Sequence, residues 1–104
     1  MRSSLLSDSM EIESVRHKAL RSYLETGKAK GLDAHVAGRL RNMVALLVAA
    51  DDEADLRVPP NFGFHILTGD RAGTCAMTVT RNWRLTFRVT QAKTLIELDL
   101  EDYH

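Results

Sequence analysis

Cysteine is nearly absent from this 104-residue chain: Cys75 stands alone, which excludes a disulfide framework within it. No apolar run approaches the ~20 residues that a membrane helix needs, and no secretory apolar segment is present. These absences exclude membrane insertion and point to a reducing, cytoplasmic compartment. Proline occurs only as Pro59-Pro60, and the six glycines form no phosphate-binding loop. Charge of one sign is also missing, because 14 Lys and Arg balance 14 Asp and Glu. A binder of polyanions usually shows a basic excess, so the total argues against one. What remains is an ordinary globular composition, 44% apolar and 27% charged. At this length folding buries roughly two-thirds of the unfolded chain's surface, enough for one core without staples.

The neutrality is a sum of opposed blocks. Residues 16–41 carry seven bases against Glu25 and Asp33, and residues 61–88 carry four arginines against Asp70. Acids dominate residues 51–58 and 89–104. A blocky neutral chain can turn a basic face to a polyanion, although solvated helix faces give the same pattern.

Residues 1–9 are Ser-rich and weakly patterned; they are read as a flexible extension, with Met10 as an alternative start and 10–104 as one domain. Met10 to Val15 fits a short edge strand. From Arg16 the spacing turns helical through Leu20, Tyr23 and Leu24, and Gly27 to Gly31 ends that helix. A second helix follows, with Asp33 as its cap and Val36, Leu40, Met43, Val44, Leu47 and Val48 as its apolar stripe. After Pro60 the period becomes two. Phe62, Phe64 and Ile66 face one way, then Cys75, Met77 and Val79, then Trp83, Leu85, Phe87 and Val89, and finally Ile96, Leu98 and Leu100. The resulting order is an α+β fold: one strand, two helices, then an antiparallel sheet of about four strands with the helices on one face.

Two helices cover one face of such a sheet, so alternation leaves His65, Thr78, Thr80, Arg84, Thr86 and Arg88 on the more open side. An imidazole titrates near neutrality and a guanidinium presents a fixed fork to phosphate oxygens, so this set suits a phosphodiester. Cleavage of RNA by its 2′-hydroxyl needs a base, an acid and cations on the phosphorane. Asp102, Tyr103 and His104 end the chain with a carboxylate, a stacking platform and a second imidazole. Taken singly, each of these residues is also what an ordinary surface or a frayed tail carries. His17 and His35 fall on separate helices with no ligand spacing to His65 or His104, so no metal or other cofactor is implied.

Three strings together resemble a known family: His65 to Arg71 (HILTGDR), Asn82 to Arg88 (NWRLTFR) and the terminal Asp102-Tyr103-His104. They are similar to the HigB branch of the RelE/ParE toxin superfamily, the plasmid maintenance system killer proteins, over residues 10–104. The resemblance implies a RelE/ParE-like fold and a ribosome-dependent mRNA endonuclease that cuts in the A site. It implies a helix-turn-helix HigA-like antitoxin as partner, with operator DNA reached only through that antitoxin. By motif position, His65, Asp102, Tyr103 and His104 are then the catalytic group and Arg71, Arg84 and Arg88 the RNA-binding cations. Either His65 or Asp102 takes the 2′-hydroxyl proton, His104 is the acid, and Tyr103 stacks or orients.

The chain departs from the family pattern where many members carry lysine at the position of Thr68, proline at Ile66, tryptophan at Cys75 and arginine at Thr78. Two cationic positions are therefore missing, which implies an attenuated enzyme. The alternatives are a ParE-like inhibitor of DNA gyrase and a paralogue that acts mainly by binding the antitoxin.

Overall fold

The computed structural model describes residues 10–102. Its elements follow the order that the periodicity predicts: β1 (Glu11–Ile12), α1 (Lys18–Thr26), α2 (Ala34–Ala49), β2 (His65–Ile66), β3 (Cys75–Thr78), β4 (Trp83–Val89) and β5 (Thr94–Asp102). The five strands form one mixed sheet in the order β1-β5-β4-β3-β2. β1 lies parallel to β5, and every other neighbour is antiparallel. Among the described residues no helix is long and apolar enough to cross a membrane.

Local chemistry explains the helix limits. His17 caps α1 through Nδ1, which accepts from the Leu20 N–H at 3.1 Å, so this histidine is a cap rather than a residue within the helix. Gly27 stops α1 in the left-handed region at φ 77°, a conformation that costs side-chain-bearing residues about 1 kcal/mol or more. Asp33 caps α2 by accepting from the N–H groups of His35 and Val36. The acidic stretch after α2 does more than end it: Asp52 caps a short 3-10 helix, Glu53–Arg57, that drives Leu56 into the core.

Leu20, Val36, Leu40, Met43 and Leu47 from the helices meet Met77, Leu85, Phe87, Leu95, Leu98 and Leu100 from the sheet in one core. Each fully buried side chain of this size stabilises the fold by roughly 1.5–3 kcal/mol. Cys75 packs there too, and burial pushes its thiol up to about 11, so it stays protonated near neutrality.

Two expectations from alternation need correction. Ile66 is exposed rather than inward, because β2 lasts only two residues. The preceding chain turns through the cis Pro59-Pro60 bond and through Phe62 at φ 50°, while Phe62 and Phe64 do pack on the core. In β5 the inward set is Leu95, Leu98 and Leu100, and Ile96 is not part of it. The cause is a bulge: β4 and β5 shift register between Thr86 and Arg88, with Glu97 at φ 56° as the extra residue. The bulge turns Glu97, Asp99 and Glu101 to the side away from the helices.

Candidate functional site

The register of the sheet decides which side chains can meet on the face away from the helices. His65 is opposite Ala76, Ala76 opposite Thr86, and Thr86 opposite Asp99, which makes one row. Thr78, Arg84 and Glu101 make the next. A 3-10 turn, Gly69–Arg71, leaves β2 and brings Arg71 over these rows.

Glu101, which the sequence did not single out, is the centre of the arrangement. Its carboxylate accepts from Arg71 Nη1 at 2.7 Å and Arg71 Nη2 at 2.5 Å, a fork-on-fork pair. It also accepts from Arg84 Nη2 at 3.2 Å and from the Thr86 hydroxyl at 2.6 Å. The Arg71 guanidinium beside it is the main reason its pKa falls from 4.5 to about 2, with Thr86 and Arg84 adding to the effect. Arg71 is shifted upward in return, chiefly by the Glu101 bond and with a smaller push from Asp99. Thr86, expected on the open face, is buried beneath this cluster.

Arg88 is held differently. Its Nη1 donates to the Thr74 hydroxyl at 3.1 Å and to the Ala72 carbonyl at 3.5 Å, both neutral acceptors. Gly73 makes room for it: a β-carbon there would stand 3.1 Å from Arg88 Nη2. Among the three arginines expected to bind phosphate, Arg71 and Arg84 already hold a carboxylate and Arg88 holds none among the described residues.

His65 is exposed, and its Nδ1 lies 3.0 Å from the Gly63 carbonyl oxygen. A carbonyl only accepts, so Nδ1 donates and a neutral His65 keeps Nε2 as its acceptor, the form a base needs. Asp102 closes β5 opposite Trp83 and is exposed. Asp102 shares the row of Trp83, which packs on the core side, so the strand's alternation sets it on the opposite face from Glu101 and the arginines. Three strand spacings, about 14 Å, separate the backbones of β2 and β5, so His65 and Asp102 do not meet. Tyr103 and His104 lie outside the described residues. No group of three or more His, Cys, Asp and Glu among the described residues could hold a metal ion.

Residues 13–104 match the family described as RelE-like toxin of type II toxin-antitoxin system HigB. The chain belongs to this family. It is 33% identical over 93 residues to Endoribonuclease HigB of Proteus vulgaris, covering 89% of this chain and 99% of that protein. It is 32% identical over 74 residues to Toxin HigB-1 of Vibrio cholerae serotype O1, covering 70% and 78%. Solved structures share the fold: a YafQ variant from E. coli superposes with a TM-score of 0.61 at 20% identity, covering 90% of this chain and 93% of that one. A YoeB/ParE toxin from Agrobacterium tumefaciens gives 0.56 at 16% identity, covering 91% and 100%. The fold is therefore the RelE/ParE-like α+β fold, and membership of a type II toxin family implies an antitoxin partner.

Proposed function

We propose that this HigB-family toxin is an endoribonuclease that enters the ribosomal A site, cuts mRNA there and is silenced by a helix-turn-helix HigA-like antitoxin. The observation that carries the reading is the convergence of Arg71, Arg84 and Arg88 on the sheet face away from the helices. The cluster of Arg71, Arg84 and Glu101 keeps a net positive charge, and Arg88 adds a third guanidinium, whose fork is not closed by an acid. In this reading Arg88 takes a non-bridging phosphate oxygen, while Arg71 and Arg84, fixed by Glu101, supply positive potential to the phosphorane. His65 Nε2 or Asp102 accepts the 2′-hydroxyl proton, and His104 protonates the departing 5′-oxygen, with Tyr103 stacking on an unpaired base.

The pairing of two of the three arginines with Glu101, together with Thr68 and Thr78 at family cation positions, favours an attenuated enzyme as the second reading. Induction of the chain without antitoxin, followed by mapping of mRNA 5′ ends, tests both. Codon-phased cuts that vanish with His65→Ala and with loss of His104 are the expected result. Intact mRNA with damaged DNA would turn the reading to gyrase inhibition, and intact mRNA with tight antitoxin binding would leave a binding paralogue.

A further inference from the structure

One cavity opens on the sheet face away from the helices, about 190 Å³ in volume, and its lining includes Arg16, Arg71, Thr86, Arg88, Asp99 and Glu101. Most of its charges are already matched. Arg71 is gripped by Glu101, and Arg16 meets Glu97 at 3.1 Å. Asp70 at the rim is exposed. Besides Asp70, two opposite charges make no ion pair among the described residues. One is Arg88, held by Thr74 and Ala72 alone. The other is Asp99, which acts on Arg71 only through its field; its Oδ1 accepts from the Leu100 N–H at 2.9 Å, and its Oδ2 makes no hydrogen bond among the described residues.

Their placement follows from the sheet. Thr86 and Arg88 are successive residues on one face of β4, and Asp99 is opposite Thr86 across the bulge. A guanidinium and a carboxylate on neighbouring rows, each open toward one cavity, match the two ends of a nucleotide. The guanidinium suits a phosphate oxygen. The carboxylate only accepts, so it suits the N–H groups on the edge of a base. The cavity is smaller than the ~300–1,000 Å³ of sites that engulf a drug-sized ligand, so it admits a base with the phosphate left at the rim.

We propose that this cavity is a nucleobase subsite, with Arg88 on the phosphate and Asp99 as the residue that selects the base. The inference rests on the RNA-cleaving reading above and deepens it. Guanine presents adjacent N1–H and exocyclic N2–H donors to a carboxylate, and adenine and cytosine present one exocyclic amine. Uracil sets its single N3–H between two carbonyl oxygens, which a carboxylate repels. The order of preference is therefore guanine first and uracil last.

The test uses the full chain as wild type, Asp99→Asn and Arg88→Gln, with melting curves for each. Titration with 5′-GMP and 5′-UMP, followed by NMR, reads the subsite, and the cut-site profile on translated mRNA reads its consequence. Wild type should bind GMP about tenfold tighter than UMP, and Asp99→Asn should bring the ratio within about twofold while flattening the cut-site profile. Arg88→Gln should weaken both nucleotides alike. If Asp99→Asn melts early, Asp99→Ser carries the same comparison. An unchanged GMP to UMP ratio in the variant overturns the proposal, as does a loss of cutting by the same factor at every codon. A wild type that separates GMP from UMP but cuts no RNA refutes the enzymatic reading and leaves the subsite standing. A wild type that cuts RNA with no base preference does the reverse.

Discussion

Glu101 grips Arg71 with both carboxylate oxygens, at 2.7 and 2.5 Å, across thirty residues of chain. Arg84 and Thr86 complete the coordination of the same carboxylate. The pair ties the turn after β2 to the last strand of the sheet, so the fold and the candidate site share one interaction. Its charge arithmetic matters for function as well. One carboxylate between two guanidiniums leaves a fixed surplus of one positive charge, held in place by geometry that loose surface arginines lack.

The Glu101 carboxylate should make stability fall in acid. Its pKa is depressed in the folded state, from 4.5 to about 2, so its contribution is present above pH ~4.5 and is lost as pH falls toward about 2. Arg71 is 41% exposed, so solvent screening reduces the effect to on the order of 2 kcal/mol. Melting temperature measured between pH 7 and pH 3 should drop for wild type more steeply than for Glu101→Gln, which starts lower and lacks this titration. Parallel pH curves for the two proteins would refute the assignment.

Arg88 should matter to RNA far more than to folding. Its two bonds go to neutral acceptors, so Arg88→Gln should change stability by less than about 1 kcal/mol. RNA affinity should fall, and the slope of log affinity against log salt should shrink by about one, the signature of one lost phosphate contact. Arg71→Gln should instead lower the melting temperature, because it leaves Glu101 short of its main partner. A salt series in binding assays, run beside melting curves, separates the two arginines.

The sequence made the strands and helices legible because their apolar residues keep a fixed period. Val36, Leu40, Met43 and Leu47 repeat at helical spacing, and Leu85 and Phe87 alternate, and all are buried. Two features broke the reading for physical reasons. The bulge at Glu97 adds a single residue, which swaps Leu95 for Ile96 in the core without any glycine to mark it. Glu101 looks like one more acid on a solvated strand, and only the register that sets it opposite Arg84, with Arg71 brought over from a distant turn, makes it central. The opposed charge blocks were visible, but not that they meet: Arg71 and Arg84 come from the basic block, and Glu101 from the acidic one.

Thr68 offers a gain-of-function test. It is exposed just before the 3-10 turn that carries Arg71, and its side chain makes no capping bond, so replacement disturbs nothing that holds the fold. Thr68→Lys restores a cation beside the arginine cluster and should raise the rate of RNA cleavage, by up to about a hundredfold if the amine reaches the phosphorane. The melting temperature should stay put. Cleavage of mRNA on translating ribosomes in the presence of each protein measures the ratio, and equal rates would show that the missing cation does not limit cleavage.

Gly73 links backbone conformation to the unpaired guanidinium. At φ 91° it occupies a region that costs other residues about 1–3 kcal/mol, and its missing side chain leaves the space that Arg88 Nη2 fills. Gly73→Ala should therefore lower stability by about that amount and also push Arg88 off Thr74. The second effect can be isolated by a double-mutant cycle on RNA cleavage. Gly73→Ala alone should approach the activity loss of Arg88→Gln, and the double variant should be no worse than Arg88→Gln alone. Losses that multiply would mean that Gly73 acts on cleavage through some route other than Arg88.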